Sequence, residues 1–340
     1  MLLKMAAKNK APTPELVDVL IVGGGPAGLT SAIAIARNLH TAIVFDSQSY
    51  RNERTSHFHM LPTWDGKNPY AFRDAARENT LENYDTIFYE NVEIKKAKKN
   101  DDELFELTDE SGKVWKGRSL VLATGIIDEP LDIPGFEDCW AHSIFHCLFC
   151  HGYEQRGSAS AGVLAINDVA PIPIALHVSR NAAQLVKSVT IYTNGETSQV
   201  DNLQAAIGPS APMTVDTRRI TRFVLGPDKI GLTLHFEDGT TKDEAFLSHK
   251  PKSKLKSSEL AEQLGLELTP QGDIKANPPF GETSLGGCFA AGDNASFLKT
   301  TPNALNAGAN SAAGTASHVQ SRKYGQKSLS EFMQSQKPAA

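Results

Sequence analysis

Cys147 and Cys150 lie in a run that reads His-Cys-Leu-Phe-Cys-His-Gly over residues 146–152. A cysteine pair at this spacing can close to a disulfide and reopen to a dithiol, so it can carry two electrons. An imidazole flanks it on each side, His146 before Cys147 and His151 after Cys150. Imidazole titrates near neutral pH and can take a thiol proton there, which suits the deprotonation of an incoming dithiol. His151 is the preferred candidate base, ahead of His146. Zinc at the two cysteines would need a second ligand pair. Only His142, His146 and His151 are near in sequence, and no second Cys-x-x-Cys exists, so no metal is expected. Leu148 and Phe149 are expected to pack, as are Trp64 and Phe297. Cys139 and Cys288 need no chemical role.

A redox pair needs an electron partner, and the start of the chain supplies a place for one. Residues 17–22, Val-Asp-Val-Leu-Ile-Val, suit a buried parallel strand. Gly23-Gly24-Gly25-Pro26-Ala27-Gly28 follows at once, then an Ala- and Ile-rich helical stretch from Leu29 to Asn38. Residues 41–45 read as the next strand and end at Asp46. In this β-turn-α-β context the glycines acquire separate tasks. Gly23 permits the tight turn. Gly25 lets the backbone approach a pyrophosphate, whose charge the helix N-terminus favours, and Gly28 lets helix and strand pack. Asp46 is placed to accept hydrogen bonds from a ribose.

Further along, residues 48–80 begin as a long polar loop and run into a helix near 69–83. A hairpin is expected at 103–108 and 113–116 around Ser111-Gly112. Residues 119–125 read as a separate buried strand. A second βαβ unit is expected from strands at 162–166 and 189–192 with a helix over 172–186 between them. The segment 231–242 reads as a hairpin around Asp238-Gly239, and residues 248–256 as a basic, solvated linker. A helix at 258–264, a strand ending in Gly292-Asp293 and a final helix from Asn303 to about Gln320 complete the pattern. Crossings between domains fall near 126–134 and 247–253. The first domain is then discontinuous, residues 1–128 plus 247–340, with 129–246 inserted.

The 340 residues suit two domains better than one, and 40% apolar content is enough for proper cores. A net charge of −5 argues against nucleic acid as the main partner. No apolar run approaches the ~20 residues of a membrane span, so no membrane partner is expected. The N-terminal MLLKMAAKNKAPTPE reads as an unstructured lead-in rather than a secretory signal, and QSQKPAA matches no targeting tail. Four cysteines are few for a secreted disulfide scaffold. A cytoplasmic location is expected, where a Cys-x-x-Cys is catalytic or metal-binding.

Four landmarks stand in order: GGGPAG at 23–28, LATG at 122–125, CLFC at 147–150 and FAAGD at 289–293. Together they resemble the low-molecular-weight thioredoxin reductase family of flavoproteins, over about residues 17–320. The resemblance implies an α/β fold of two Rossmann-like domains, three-layered around parallel sheets, the second inserted in the first. It implies FAD as cofactor and a homodimer. Gly23, Gly25, Pro26, Ala27, Gly28 and Asp46 would hold the FAD diphosphate and adenosine ribose. Thr124 and Gly125 would line the cofactor, and Gly292-Asp293 would face the ribityl and diphosphate side. The helix start near Asn303 would point at the pyrimidine end of the flavin, where its dipole favours negative charge.

The sequence departs from that family in two places. The second domain should carry a glycine turn for the NADPH pyrophosphate. Here it reads Ile166-Asn167-Asp168-Val169-Ala170-Pro171-Ile172-Pro173, with no glycine, an anion, and two prolines that remove backbone donors. No basic cluster follows at residues 192–196, and Arg218 and Arg219 read as a solvated strand end. NADPH binding is therefore expected to be lost. At the redox motif, the family's acid after the second cysteine is replaced by His151. The HCLFCHG motif and the degenerate second domain are similar to the gliotoxin- and holomycin-type dithiol oxidases. That resemblance implies a small-molecule dithiol as substrate, its oxidation to a cyclic disulfide, and O2 as electron acceptor with peroxide as product. Cys147 would be the outer, attacked cysteine and Cys150 the inner one that passes electrons to the flavin. The alternatives are an NADPH-dependent thioredoxin reductase, a family member recruited to another oxidation in secondary metabolism, and a flavin-binding scaffold without catalysis.

Overall fold

The computed structural model describes residues 13–336, so the reading of the N-terminal lead-in lies almost wholly outside the described residues, as does most of the C-terminal tail. The chain begins with β1 (Leu16–Val22), α1 (Pro26–Ala36), β2 (Ala42–Phe45), α2 (Pro69–Asn83), β3 (Ile87–Glu90), β4 (Ile94–Lys99), β5 (Phe105–Asp109) and β6 (Val114–Leu122). After β7 (Ile126–Asp128) come α3 (Phe136–Cys139), β8 (Ile144–Phe145), β9 (Ser158–Leu164), α4 (Ile172–Ala183), β10 (Val186–Tyr192), α5 (Val200–Ile207) and β11 (Met213–Asp216). Then follow β12 (Ile220–Leu225), β13 (Leu232–Phe236), β14 (Thr241–Glu244), β15 (Leu247–Ser248) and β16 (Ser253–Leu255). The last elements are α6 (Ser258–Gln263), β17 (Cys288–Ala290), α7 (Thr301–Tyr324) and α8 (Leu329–Ser335).

These elements form two compact units. One contains Tyr70–Ile127, the residues before Arg54 and those from Lys254 on; the other contains Arg54–Pro69 and Asp128–Ser253. In the first, strands β3-β2-β1-β6-β5-β4 form one sheet and β17 also pairs with β6. The β1, β2, β3, β6 and β17 pairings are parallel, and β4-β5-β6 is an antiparallel meander. Val19 and Ile21 on one side of β1, and Leu20 and Val22 on the other, are buried in separate clusters. Helices α1 and α7 cover the former. This two-sided burial explains why β1 reads as a continuous apolar run.

The second unit holds a parallel sheet ordered β11-β10-β9-β15-β8 and an antiparallel one ordered β12-β13-β14. Its cores centre on Val163, Ile191 and Phe246 on one side and Tyr192, Phe223 and Leu247 on the other.

Several local expectations change. The hairpin arm at 113–116 and the buried strand at 119–125 are one strand, β6, whose early half pairs with β5 and whose late half pairs with β17. Its first half alternates in burial and its second half is buried throughout, which is why it reads as two elements. Residues 248–256 are not simply a solvated loop: Ser248, His249 and Leu255 are buried. Phe149 and Phe297 are not buried, being 69% and 78% exposed, and Trp64 is half-buried. Helix α8 was not anticipated, although Ser328 and Glu331 form its capping box. The segment Arg54–Pro69 groups with the second unit, where Arg54 pairs with Glu137 and His59 approaches Glu154.

Candidate functional site

In the first unit the glycine turn is built as its spacing suggests. Gly23 has φ 121°, and a Cβ there would stand 2.2 Å from the Ala123 carbonyl oxygen. A Cβ on Gly28 would stand 1.9 Å from the Gly23 oxygen, so strand, turn and helix close on one another only with glycine at both. Gly25 is the N-cap of α1. No side chain caps the helix there, and a Cβ on Gly25 would meet open space. Pro26 presets the first helical φ, and Ala27 is buried behind it. An uncapped helix N-terminus with room above it favours an anion.

Asp46, at the end of β2, is 6% exposed. Its carboxylate accepts from the Gln48 amide at 2.9 Å and from the Tyr50 hydroxyl at 2.6 Å, leaving lone pairs for further donors. Burial first, and then this bond to Asp46, push the Tyr50 hydroxyl well above its ordinary pKa. The Arg73 guanidinium lies 3.6 Å from the Tyr50 ring centre and 4.3 Å from that of Tyr70. Its Nη1 donates to Asn52, but its Nη2 is buried without a partner. At the other end of the turn, Asn294 donates to the Leu122 carbonyl at 2.8 Å and to Thr124 Oγ1 at 3.4 Å, and its Oδ1 is a buried orphan. Gly125 follows Thr124 with open space where a Cβ would be.

Asp293, preceded by Gly292 at φ 90°, is held by Arg51 at 3.0 Å, and Lys299 donates to its carbonyl. Asn303 does not present a free donor. Its amide donates to the Thr300 cap at 3.4 Å, and its side chain donates to Ser296 and Leu298 at 2.8 Å each. The helix end remains positive, but Asn303 latches the preceding loop. An uncapped helix start, a buried acceptor at a strand end, an orphaned guanidinium nitrogen and an orphaned amide oxygen together fit a flavin dinucleotide. Arg51 and Arg73 were missed in sequence, because nothing in spacing alone ties an arginine on a loop or a later helix to the turn.

In the second unit Cys147 and Cys150 form a disulfide. The chain turns helically between them: the amides of Cys150 and His151 donate to the Cys147 carbonyl at 3.2 and 3.0 Å. The Cys150 amide also lies 3.1 Å from Cys147 Sγ, aimed to stabilise negative charge on that sulfur. His151 stacks on Phe145 with ring centres 5.3 Å apart and meets His57 edge-on at 6.1 Å. Burial, then the neighbouring His57, lower its pKa to about 4, so the ring is neutral at neutral pH. His146 sits instead against Trp140, ring centres 5.7 Å apart. Leu148 packs into the core and Phe149 projects outward. His142, His146 and His151 do not gather with the cysteines into a metal-ligand group.

The second βαβ unit forms, with β9 and β10 parallel and α4 between them. Its turn differs in form from the one after β1. Residues Asn167–Val169 fill it with a 3-10 turn, and Asp168 pairs with Lys250 at 3.3 Å. Pro171 caps α4 and Pro173 occupies its first turn, so neither offers an amide. The Ile174 amide already donates to Pro171. Beyond β11, Arg218 is bound to Asp216 and Thr240 and lies over Phe236, which accounts for it structurally.

Comparison with known proteins places these features. Residues 17–192 match the model of the family described as pyridine nucleotide-disulphide oxidoreductase. The chain is 48% identical to thioredoxin reductase tcpT of Claviceps purpurea, over 87% of this chain and 92% of that one. It is 46% identical to thioredoxin reductase aclD of Aspergillus oryzae, over 89% and 96%. Among solved structures, a putative thioredoxin reductase TrxB from Bacillus anthracis superposes with a TM-score of 0.81 at 24% identity, covering 90% of this chain and 99% of that one, a likeness of fold.

Proposed function

Because the chain belongs to the pyridine nucleotide-disulphide oxidoreductase family and is an FAD-dependent disulfide redox enzyme, we propose that it works in the disulfide-forming direction, as a dithiol oxidase. The observation that carries this reading is the second dinucleotide turn. A proline-capped helix and an acidic 3-10 turn stand where an NADPH pyrophosphate would need free amides. A disulfide pair without a nicotinamide supply takes its electrons from a substrate thiol instead.

On this reading a substrate thiolate attacks Cys147 Sγ, the Cys147–Cys150 bond breaks, and Cys150 leaves as thiolate. His151, neutral at working pH, takes the substrate's thiol proton; the thiolate formed beside it raises the ring's affinity for that proton. The second substrate thiolate then attacks the substrate sulfur of the mixed disulfide. A cyclic disulfide leaves, and Cys147 departs as a thiolate that the Cys150 amide stabilises. FAD, when bound, would supply the two-electron acceptor through which Cys147–Cys150 returns to the disulfide; the electron pair and the two protons of the substrate thiols would pass on to O2 as hydrogen peroxide. The similarity of HCLFCHG to the gliotoxin- and holomycin-type oxidases favours an epidithiodiketopiperazine-like natural product as substrate. The thioredoxin reductase resemblance favours a homodimer, and the small number of cysteines favours a cytoplasmic location. No helix among the described residues is long and apolar enough to cross a membrane.

The relatives' names favour a second reading, a thioredoxin reductase supplied by NADPH. Anaerobic bleaching of the flavin band separates the two. The oxidase reading expects a small aromatic-peptide dithiol to bleach it, NADPH to leave it unchanged, and air to restore it with release of peroxide. Rapid bleaching by NADPH would sink the oxidase reading.

A further inference from the structure

A group of side chains outside the thiol chemistry converges beside His151. His57 and His59 come from the segment Arg54–Pro69, and Glu154 from the 3-10 turn Tyr153–Gln155 just after the redox motif. The ligand atoms these three offer all lie within 4.8 Å of one another. Among the described residues no other set of His, Cys, Asp or Glu side chains meets that spacing.

Each of the three is oriented by a second partner. Ser56 Oγ lies 2.8 Å from His57 Nδ1. Asp65 holds His59 Nδ1 at 3.1 Å and is itself fixed by the Met60 amide at 2.9 Å. The Gly152 amide donates to Glu154 Oε2 at 3.3 Å. Such outer partners fix the tautomer and direction of metal-ligating groups. His59 Nε2, the nitrogen that Asp65 leaves free, is buried and makes no hydrogen bond, although Glu154 Oε1 stands 3.3 Å away. A cation shared by the two would satisfy both.

Two imidazoles and one carboxylate are a ligand set of zinc, whereas magnesium and calcium prefer oxygen alone. We propose that His57, His59 and Glu154 bind a zinc-class divalent cation, with a fourth coordination position open to water or to a thiolate. The proposal does not depend on the direction of the thiol chemistry. Since His57 meets His151 edge-on at 6.1 Å, the ion would be held one ring away from the redox motif. A thiol that reached the open position would lose its proton there.

The test uses the flavin-loaded, disulfide-oxidised protein, stripped of metal and titrated with Zn2+, with bound metal measured by atomic emission. Oxidation removes the cysteines as competing ligands. About one zinc per chain is expected, with affinity reduced ~10-fold or more in His59→Ala and in Glu154→Gln and unchanged in the Cys147→Ser/Cys150→Ser variant. Substoichiometric zinc in the unaltered protein, or binding by His59→Ala and Glu154→Gln as tight as that of the unaltered protein, overturns the proposal. Should a variant lose its flavin spectrum, X-ray absorption of the unaltered zinc complex decides. Nitrogen and oxygen neighbours at about 2.0–2.1 Å support the site, and a sulfur shell at about 2.3 Å excludes it.

Discussion

The two cysteines of the redox pair differ in one backbone contact. The Cys150 amide faces Cys147 Sγ, so the pair's negative charge is better placed on Cys147. Under the oxidase reading, Cys147→Ser and Cys150→Ser each abolish peroxide release by the dithiol while leaving the flavin spectrum intact; turnover by either single variant would remove the pair from the mechanism. His151 carries a second expectation. As its pKa is lowered to about 4, the base form is populated well below neutrality. The acid limb of kcat/KM should therefore fall near pH 4 rather than near 6.5. His151→Asn should lower kcat/KM by about 10²–10⁴ and erase that limb. A limb that stays at 6.5 in the unaltered protein would assign the base to another group. Both flanking histidines are visible in sequence. That one stacks half-buried on Phe145 and the other lies on Trp140 is not, because their surroundings come from residues on either side of the motif and from elsewhere in the chain.

At the scale of elements, the same β-turn-α unit occurs twice with different turns. After β1 the turn is glycine, uncapped and open above Gly25; after β9 it is a 3-10 turn closed by two prolines. Gly28→Ala tests the first. The added methyl meets the Gly23 oxygen, so stability should fall by about 1–3 kcal/mol and the protein should purify with little flavin, read from the visible absorbance. Full flavin content would show that the turn does not hold the cofactor. Both turns were legible in sequence because glycine and proline act through the local backbone. Less legible was β6, a single strand that changes partner midway. Its burial pattern changes with the partner, and a partner from residue 288 onward cannot be seen from residue 119.

For the whole molecule, buried histidines set an acid limit. Burial lowers His151, His249 and His318 to about 4 from the ordinary 6.5. Each ring stays neutral in the fold and protonates freely once unfolded. Stability is therefore full above about pH 6.5 and falls as the pH drops from 6.5 toward 4. Thermal unfolding followed across that range should show a falling midpoint, and His249→Gln should flatten the decline if the folded protein tolerates it. A flat profile in the unaltered protein would mean that these rings are accessible. The remaining thiols are equally shielded: burial pushes Cys288 up to about 12 and raises Cys139. An alkylating reagent should leave the oxidised native protein unmodified, and should label Cys147 and Cys150 once the disulfide is reduced.

Sequence alone determined the chemistry that is local in the chain. A two-residue gap between cysteines, a glycine turn after an apolar strand and prolines at a helix start act within a few residues, so their types and order suffice. The order of the landmarks then sufficed for the family and for FAD. Tertiary structure decided what depends on distant residues meeting. It paired Asp293 with Arg51, turned Asn303 into a latch, left Phe297 largely exposed, and brought His57 and His59 to Glu154 across nearly a hundred residues. Such meetings are set by packing and sheet order, and no spacing rule along the chain contains them.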